Sequence, residues 1–146
     1  MRKINYIVVH CSATREGCTL TSEALEAEHR RRGFCTTGYH YYIRRDGTVL
    51  GTRSLELPGA HCRGHNKYSI GICYEGGLDA RGNPKDTRTP EQRSALHLLV
   101  YQLLQQFRNA RVCGHRDLSP DLDGDGTVEP WEWVKQCPCF EVSKEF

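Results

Sequence analysis

No stretch of this 146-residue chain approaches the roughly 20 consecutive apolar residues that a membrane-spanning helix needs, which argues against an integral membrane protein. A secretory leader is missing too. Met1 to His10 starts basic, but its apolar run is short, is interrupted by Asn5 and is followed by no small-residue cleavage site, so it reads as a first strand. A cytoplasmic protein without a membrane partner is therefore expected. Charge of one sign is scarce. The formal net charge is +2, the basic residues are dispersed, and Arg30-Arg31-Arg32 reads as a solvated helix end, so no nucleic-acid partner is expected. Paired Cys-x-x-Cys motifs are absent, which argues against a zinc ribbon. Internal repeats and linkers are absent as well, and the length suffices to bury a core without disulfide staples. A single domain spanning residues 1–146 follows.

What is present is an ordinary globular balance, 26% charged and 38% apolar, with many cysteines for the length: eight, at positions 11, 18, 35, 62, 73, 113, 137 and 139. In a reducing compartment most are thiols that pack as small hydrophobes, and disulfides would follow only from export by another route.

The elements are legible from periodicity and punctuation. Ile4 to Val9 is a β-rich run of the kind buried inside a sheet, delivering His10 at its end. Thr14 to Leu20 reads as a loop, and Ser22 to Arg32 as a helix with early glutamates and late arginines, closed by Gly33. Tyr39 to Leu50 is a hairpin around Asp46-Gly47, and Tyr68 to Glu75 a further strand ended by Gly76-Gly77. Asp79 to Arg88 is a polar loop. Thr89-Pro90-Glu91-Gln92 then opens a helix with a capping box, carrying Leu96, Leu99, Val100, Leu103 and Phe107 on one face. Arg111 to Gly114 is a short strand leading to His115. An α/β fold, with a mixed central sheet flanked by helices, accommodates this order.

Three residues far apart in the chain are candidate zinc ligands: His10, His115 in Val112-Cys113-Gly114-His115, and Cys137 in Lys135-Gln136-Cys137-Pro138. Residues so distant converge only through the fold. A structural zinc site typically uses four protein ligands, often in close pairs, whereas a hydrolytic zinc keeps three and leaves one position for water. Cys139 rivals Cys137, since either thiolate could reach a metal. A lone histidine after a buried strand is more often a hydrogen-bonded structural residue, so the set needs its surroundings.

Those surroundings form ordered motifs across almost the whole chain: Val9 to Thr14, Gly38-Tyr39-His40-Tyr41, Arg45 to Val49, Ala60-His61, Asn66, Ser69 to Ile72, Gly76-Gly77, Thr89 to Gln92, Gly114-His115 and Lys135 to Phe140. In this order the sequence resembles the zinc-dependent N-acetylmuramoyl-L-alanine amidases, in particular the small phage lysozyme-type members whose fold is shared with peptidoglycan-recognition proteins. The resemblance implies His10, His115 and Cys137 as zinc ligands, the Cys-Pro step favouring Cys137 over Cys139. It implies Tyr39 and Lys135 beside the metal as catalytic residues that stabilise the oxyanion or help proton transfer, and His61 and Asn66 in the substrate groove. His29, His65 and His97 are expected at the surface or on helices.

The segment from Asp121 to Glu132 departs from the shortest family members and fits an EF-hand-like calcium loop. Asp121, Asp123 and Asp125 stand as oxygen ligands, Gly126 at the sharp turn, Thr127 as a carbonyl ligand and Glu132 at position twelve. No amphipathic helix precedes it, and Pro120 closes off the approach. A calcium ion there would be structural.

The activity implied by the resemblance is zinc-dependent hydrolysis of the amide between N-acetylmuramic acid and L-alanine. The substrate is peptidoglycan or soluble muropeptide, and the protein is expected to act as a monomer. It would serve either as a phage lysin that reaches the cell wall on release or as a wall-recycling enzyme. The alternative is a non-catalytic peptidoglycan-binding module of the same fold. Members that only bind tend to lose the cysteine ligand, so Cys137 favours catalysis.

Overall fold

The structure is a computed structural model describing residues 1–146. Its centre is a five-stranded sheet in which the strands lie in the order Val49–Gly51 (β4), Tyr41–Ile43 (β3), Ser69–Tyr74 (β5), Tyr6–Cys11 (β1) and Arg111–Gly114 (β7). Strands β1, β5 and β7 run parallel, and β3 runs parallel to β5. Only β4 is antiparallel, paired with β3 across the turn that holds Gly47 at a φ of 88°. Parallel strands covered on both faces read as continuous apolar runs, and β1 and β5 are buried almost throughout.

The alternation of side chains along β1 sorts them between two layers. Ile7, Val9 and Cys11 join the main core with Ile70, Ile72, Leu96, Val100 and Leu103, under helix α2 (Pro90–Gln106). On the opposite face Tyr42 and Cys73 pack with Leu25 of helix α1 (Ser22–Arg31). His10 pairs in register with Cys73 and so belongs to this second face. The sheet therefore turns its polar functional end toward α1 and keeps the larger apolar core under α2.

Both helices begin where their caps predict. Thr21 accepts the N–H of Ala24 at 3.1 Å. Thr89 accepts the N–H of Gln92 at 3.1 Å while Gln92 Oε1 accepts the N–H of Thr89 at 3.0 Å, a reciprocal cap of the sort that contributes about 1 kcal/mol. Gln92 also donates to the carbonyls of Glu75 (2.9 Å) and Ile43 (3.3 Å), fastening the helix start to two strand ends.

One expectation needs correction. The segment from Thr14 to Leu20 is not all loop. Thr14–Arg15 (β2) forms a short parallel ladder with Gly77–Leu78 (β6), because left-handed backbone at Ala13, Gly76 and Gly77 turns both chains out of the main sheet together. His29 lies on α1 as expected but is buried, its Nδ1 accepting the N–H of Gly38 at 2.8 Å. Residues 121–132 form a loop without the paired helices of an EF-hand, as the approach through Pro120 led one to expect. The chain enters past Pro120 without a helix and leaves through the single 3-10 turn Pro130–Glu132. Glu132, expected as a metal ligand, is buried, with its carboxylate accepting backbone N–H groups of Leu122 (2.6 Å) and Glu129 (2.8 Å). No helix of the structure is long and apolar enough to cross a membrane.

Candidate metal centre

Three segments meet at the C-terminal edge of the sheet. His10 is carried by β1, His115 follows directly on β7, and Cys137 arrives from the far side of the 121–132 loop. The first two are placed side by side because β1 and β7 are paired neighbours. The third is tied down separately. The N–H of Cys11 donates to Cys137 Sγ at 3.2 Å, the N–H of Arg116 donates to the carbonyl of Cys137 at 2.9 Å, and the hydroxyl of Tyr74 donates to the carbonyl of Pro138 at 2.6 Å. Gly114 makes the approach possible: a Cβ there would stand 2.7 Å from the Pro138 ring, closer than packed carbon atoms come. As a result one donor atom from each of His10, His115 and Cys137 lies within 4.8 Å of the others.

Cys139 does not share that position. Its Sγ lies 3.9 Å from the buried Cys11, on the side of the main core. The Cys11 thiol is pushed up to about 12, chiefly by its contact with Cys137 and then by burial, so it stays protonated beside the candidate ligand. Burial holds His10 well below the ordinary imidazole range, helped by the neighbouring His61, His115 and Lys135. A neutral imidazole is the form that binds metal.

Tyr39 packs against His10, ring centroids 5.1 Å apart. Burial first, and then the nearby thiols of Cys73, Cys137 and Cys11, raise its phenol well above 10, so it is a hydrogen-bond donor at neutral pH. Tyr39 and Lys135 line the same small pocket, of about 220 Å³, as His10, His115 and Cys137. That pocket shares Arg32, Ala60, His61, His115 and Lys135 with an open groove of about 1020 Å³. Asn66 lies along the groove, but its Oδ1 accepts the N–H groups of His61 and Cys62, both at 2.9 Å, and so shapes the loop. Asp121, Asp123 and Glu132 bring oxygens within 4.8 Å of one another, as do Asp123, Asp125 and Glu129. The hydroxyl and carbonyl of Thr127 make no hydrogen bond there, while its N–H donates to Asp125.

Comparison with known proteins decides the family. The model of the N-acetylmuramoyl-L-alanine amidase family matches residues 1–138. The chain belongs to that family. The amidase is 35% identical to the endolysin of Klebsiella phage KP32 over 143 residues, covering 98% of this chain and 85% of the relative. Among solved structures it is similar to the N-acetylmuramoyl-L-alanine amidase LysC from Clostridium intestinale, with a TM-score of 0.76 and 26% identity over 99% of this chain and 82% of that one. A peptidoglycan-recognition protein of the bumblebee, PGRP-SA, shares the fold at a TM-score of 0.75 and 22% identity, covering 99% of the amidase and 80% of that chain.

Several residues of the site were not legible in the sequence. Arg116 is buried, with its guanidinium 3.8 Å from the ring centre of Trp133. Asp117 accepts the N–H of Gly114 at 2.7 Å and fixes the turn that presents His115. They are the two residues after His115, and a basic and an acidic residue beside a candidate ligand would have been the available signal. Ser69 stands in the Ser69-to-Ile72 motif, but the motif assigns it no role, and its contact with His61 arises only through the fold.

Proposed function

We propose that this amidase hydrolyses the amide between the lactyl group of N-acetylmuramic acid and the L-alanine of the peptidoglycan stem, using zinc held by His10, His115 and Cys137. The observation that carries the reading is the convergence of two imidazoles and one thiol from three separate segments in a small pocket that shares His61, His115 and Lys135 with an open groove. The donors suit zinc, a borderline-soft ion that takes nitrogen and sulphur, and three of them leave a place for water. Zinc bound there supplies Lewis-acid polarisation of the scissile carbonyl and lowers the pKa of water toward about 7.

The chain's own residues do the rest. The groove, at the upper end of the roughly 300–1,000 Å³ usual for ligand pockets, suits an extended glycopeptide. Tyr39, protonated and packed on His10, donates toward the oxygen on which negative charge develops. Lys135 lines both the groove and the inner pocket, and brings a cation to the same oxygen or to the leaving nitrogen. Because the relatives at 35% identity are phage endolysins, intact wall is the expected substrate in preference to soluble fragments.

The test is digestion of purified peptidoglycan by zinc-loaded protein, counting new L-alanine amino groups against new reducing sugar ends. Amines without reducing ends are expected. Reducing ends without amines would mean a glycosidase, and retained binding with neither product would mean a recognition module.

Calcium in residues 121–132 belongs to the same proposal as a structural ion. It is supported by the two overlapping sets of carboxylates and by the left-handed Gly126, at a φ of 93°. The crowding is chemical as well: hydrogen bonding to Glu132 pushes the Glu129 carboxyl up to about 7. Calcium is expected to raise the melting temperature of the wild type by a few degrees and to leave the double variant Asp123→Ala/Glu132→Ala unmoved. Equal melting curves for the wild type with calcium and with chelator would remove the ion from the account.

A further inference from the structure

His61 faces the groove, yet neither of its ring nitrogens is free for substrate. Nδ1 lies 2.8 Å from Nε2 of His10, and Nε2 lies 3.0 Å from the hydroxyl of Ser69. All three residues are buried. The ring is also clamped by two glycines. A Cβ on Gly71 would lie 2.6 Å from its Cγ, and one on Gly59 would lie 2.4 Å from its Cδ2, so any other residue at either position would push the imidazole off its seat. His40 braces this clamp, with Nδ1 accepting the N–H of Gly71 at 3.0 Å and Nε2 lying 2.9 Å from the carbonyl of Leu57. The surroundings hold His61 in one orientation, aimed at His10 and not at the groove.

Proton bookkeeping along the chain gives it one consistent direction. His10 has its Nε2 engaged with His61, which leaves Nδ1 as the nitrogen available to a metal. An imidazole bound through Nδ1 keeps its proton on Nε2, so His10 donates and His61 Nδ1 accepts. The proton of a neutral His61 is then on Nε2, donated to Ser69. Metal-bound histidines as a class have their second nitrogen held this way, and loss of the partner typically costs 10–100-fold in metal affinity.

We infer that Ser69 and His61 are positioning residues that fix the tautomer and ring orientation of His10 for zinc, and that His61 is not a substrate ligand. The inference rests on the zinc reading above and extends it to residues that touch neither metal nor substrate. It also explains why the clamp is built from glycines: the ring that orients His10 needs the space of two missing side chains.

The decisive measurements are zinc affinity, by competition with a chromogenic chelator, and the tautomers of ¹⁵N-histidine-labelled zinc-loaded protein by NMR. His61→Leu, which removes the acceptor, is expected to weaken zinc binding by about 10–100-fold. His61→Asn, whose Oδ1 can occupy the place of Nδ1, is expected to recover most of that loss, and wild-type His10 and His61 should each carry their proton on Nε2. Zinc binding by His61→Leu as tight as wild type would overturn the inference, as would equal losses in His61→Leu and His61→Asn. Should His61→Leu fail to fold, an Nδ1-protonated His61 in the zinc-loaded wild type would overturn it alone. A wild type that binds no zinc would instead defeat the reading of the metal centre itself.

Discussion

Replacing Cys137 by Ser is expected to reduce amidase activity to background and to weaken zinc binding by several orders of magnitude, whereas Cys139→Ser is expected to leave both nearly unchanged. The reason is positional. Of the two cysteines, Cys137 brings its sulphur within 4.8 Å of donor atoms of His10 and His115, while the sulphur of Cys139 lies 3.9 Å from that of Cys11 and joins no such group. A serine hydroxyl keeps the size of the side chain but has neither the charge nor the softness that zinc draws from a thiolate. Folding should survive, because Arg116 and Tyr74 hold the backbone carbonyls of Cys137 and Pro138 independently of the side chain. The measurement is hydrolysis rate together with zinc content after dialysis. Retained activity in Cys137→Ser with loss in Cys139→Ser would reassign the third ligand.

Tyr39→Phe is expected to lower kcat by about 10²–10³, corresponding to roughly 3–4 kcal/mol of transition-state stabilisation, with zinc content unchanged. The substitution keeps the ring that packs on His10 and removes only the hydroxyl, so a loss confined to kcat would isolate the donor from the packing. The phenol is suited to this task because burial keeps it protonated through the neutral range. If Tyr39→Phe retains full kcat and Lys135→Met loses it, the stabilising donor is Lys135.

How much of this could be read from the chain alone depends on the range of each interaction. Helix α2 was fully legible, because Thr89, Pro90 and Gln92 state its start within four residues and its apolar face repeats at helical spacing. The hairpin was equally local, with its turn centred on Asp46 and Gly47. The β2–β6 ladder was not, since each partner is two residues long and their pairing is imposed by the neighbouring ends of β1 and β5. His29 lies on a helix, one of the two places expected, but its burial comes from the approach of Gly38 from a distant loop. The 121–132 segment shows the converse. A local pattern matches a calcium loop position by position, while no helix precedes it and only a single 3-10 turn follows.

The candidate centre divides along the same line. His10, His115 and Cys137 could be nominated by residue type and by family resemblance, and the fold brings their donor atoms together. The partners that orient them could not be nominated that way. Ser69, Asp117 and the backbone N–H of Cys11 act through contacts that exist only after folding. The role inferred for His61, likewise, comes from where its two nitrogens point and not from its place in Ala60-His61.

The most direct test of the whole account is a zinc titration of metal-free protein against purified peptidoglycan, following the appearance of the free L-alanine amine. No release without metal, with activity rising to saturation at one equivalent of zinc, is the predicted result. Equal amine release by metal-free and zinc-loaded protein would contradict it.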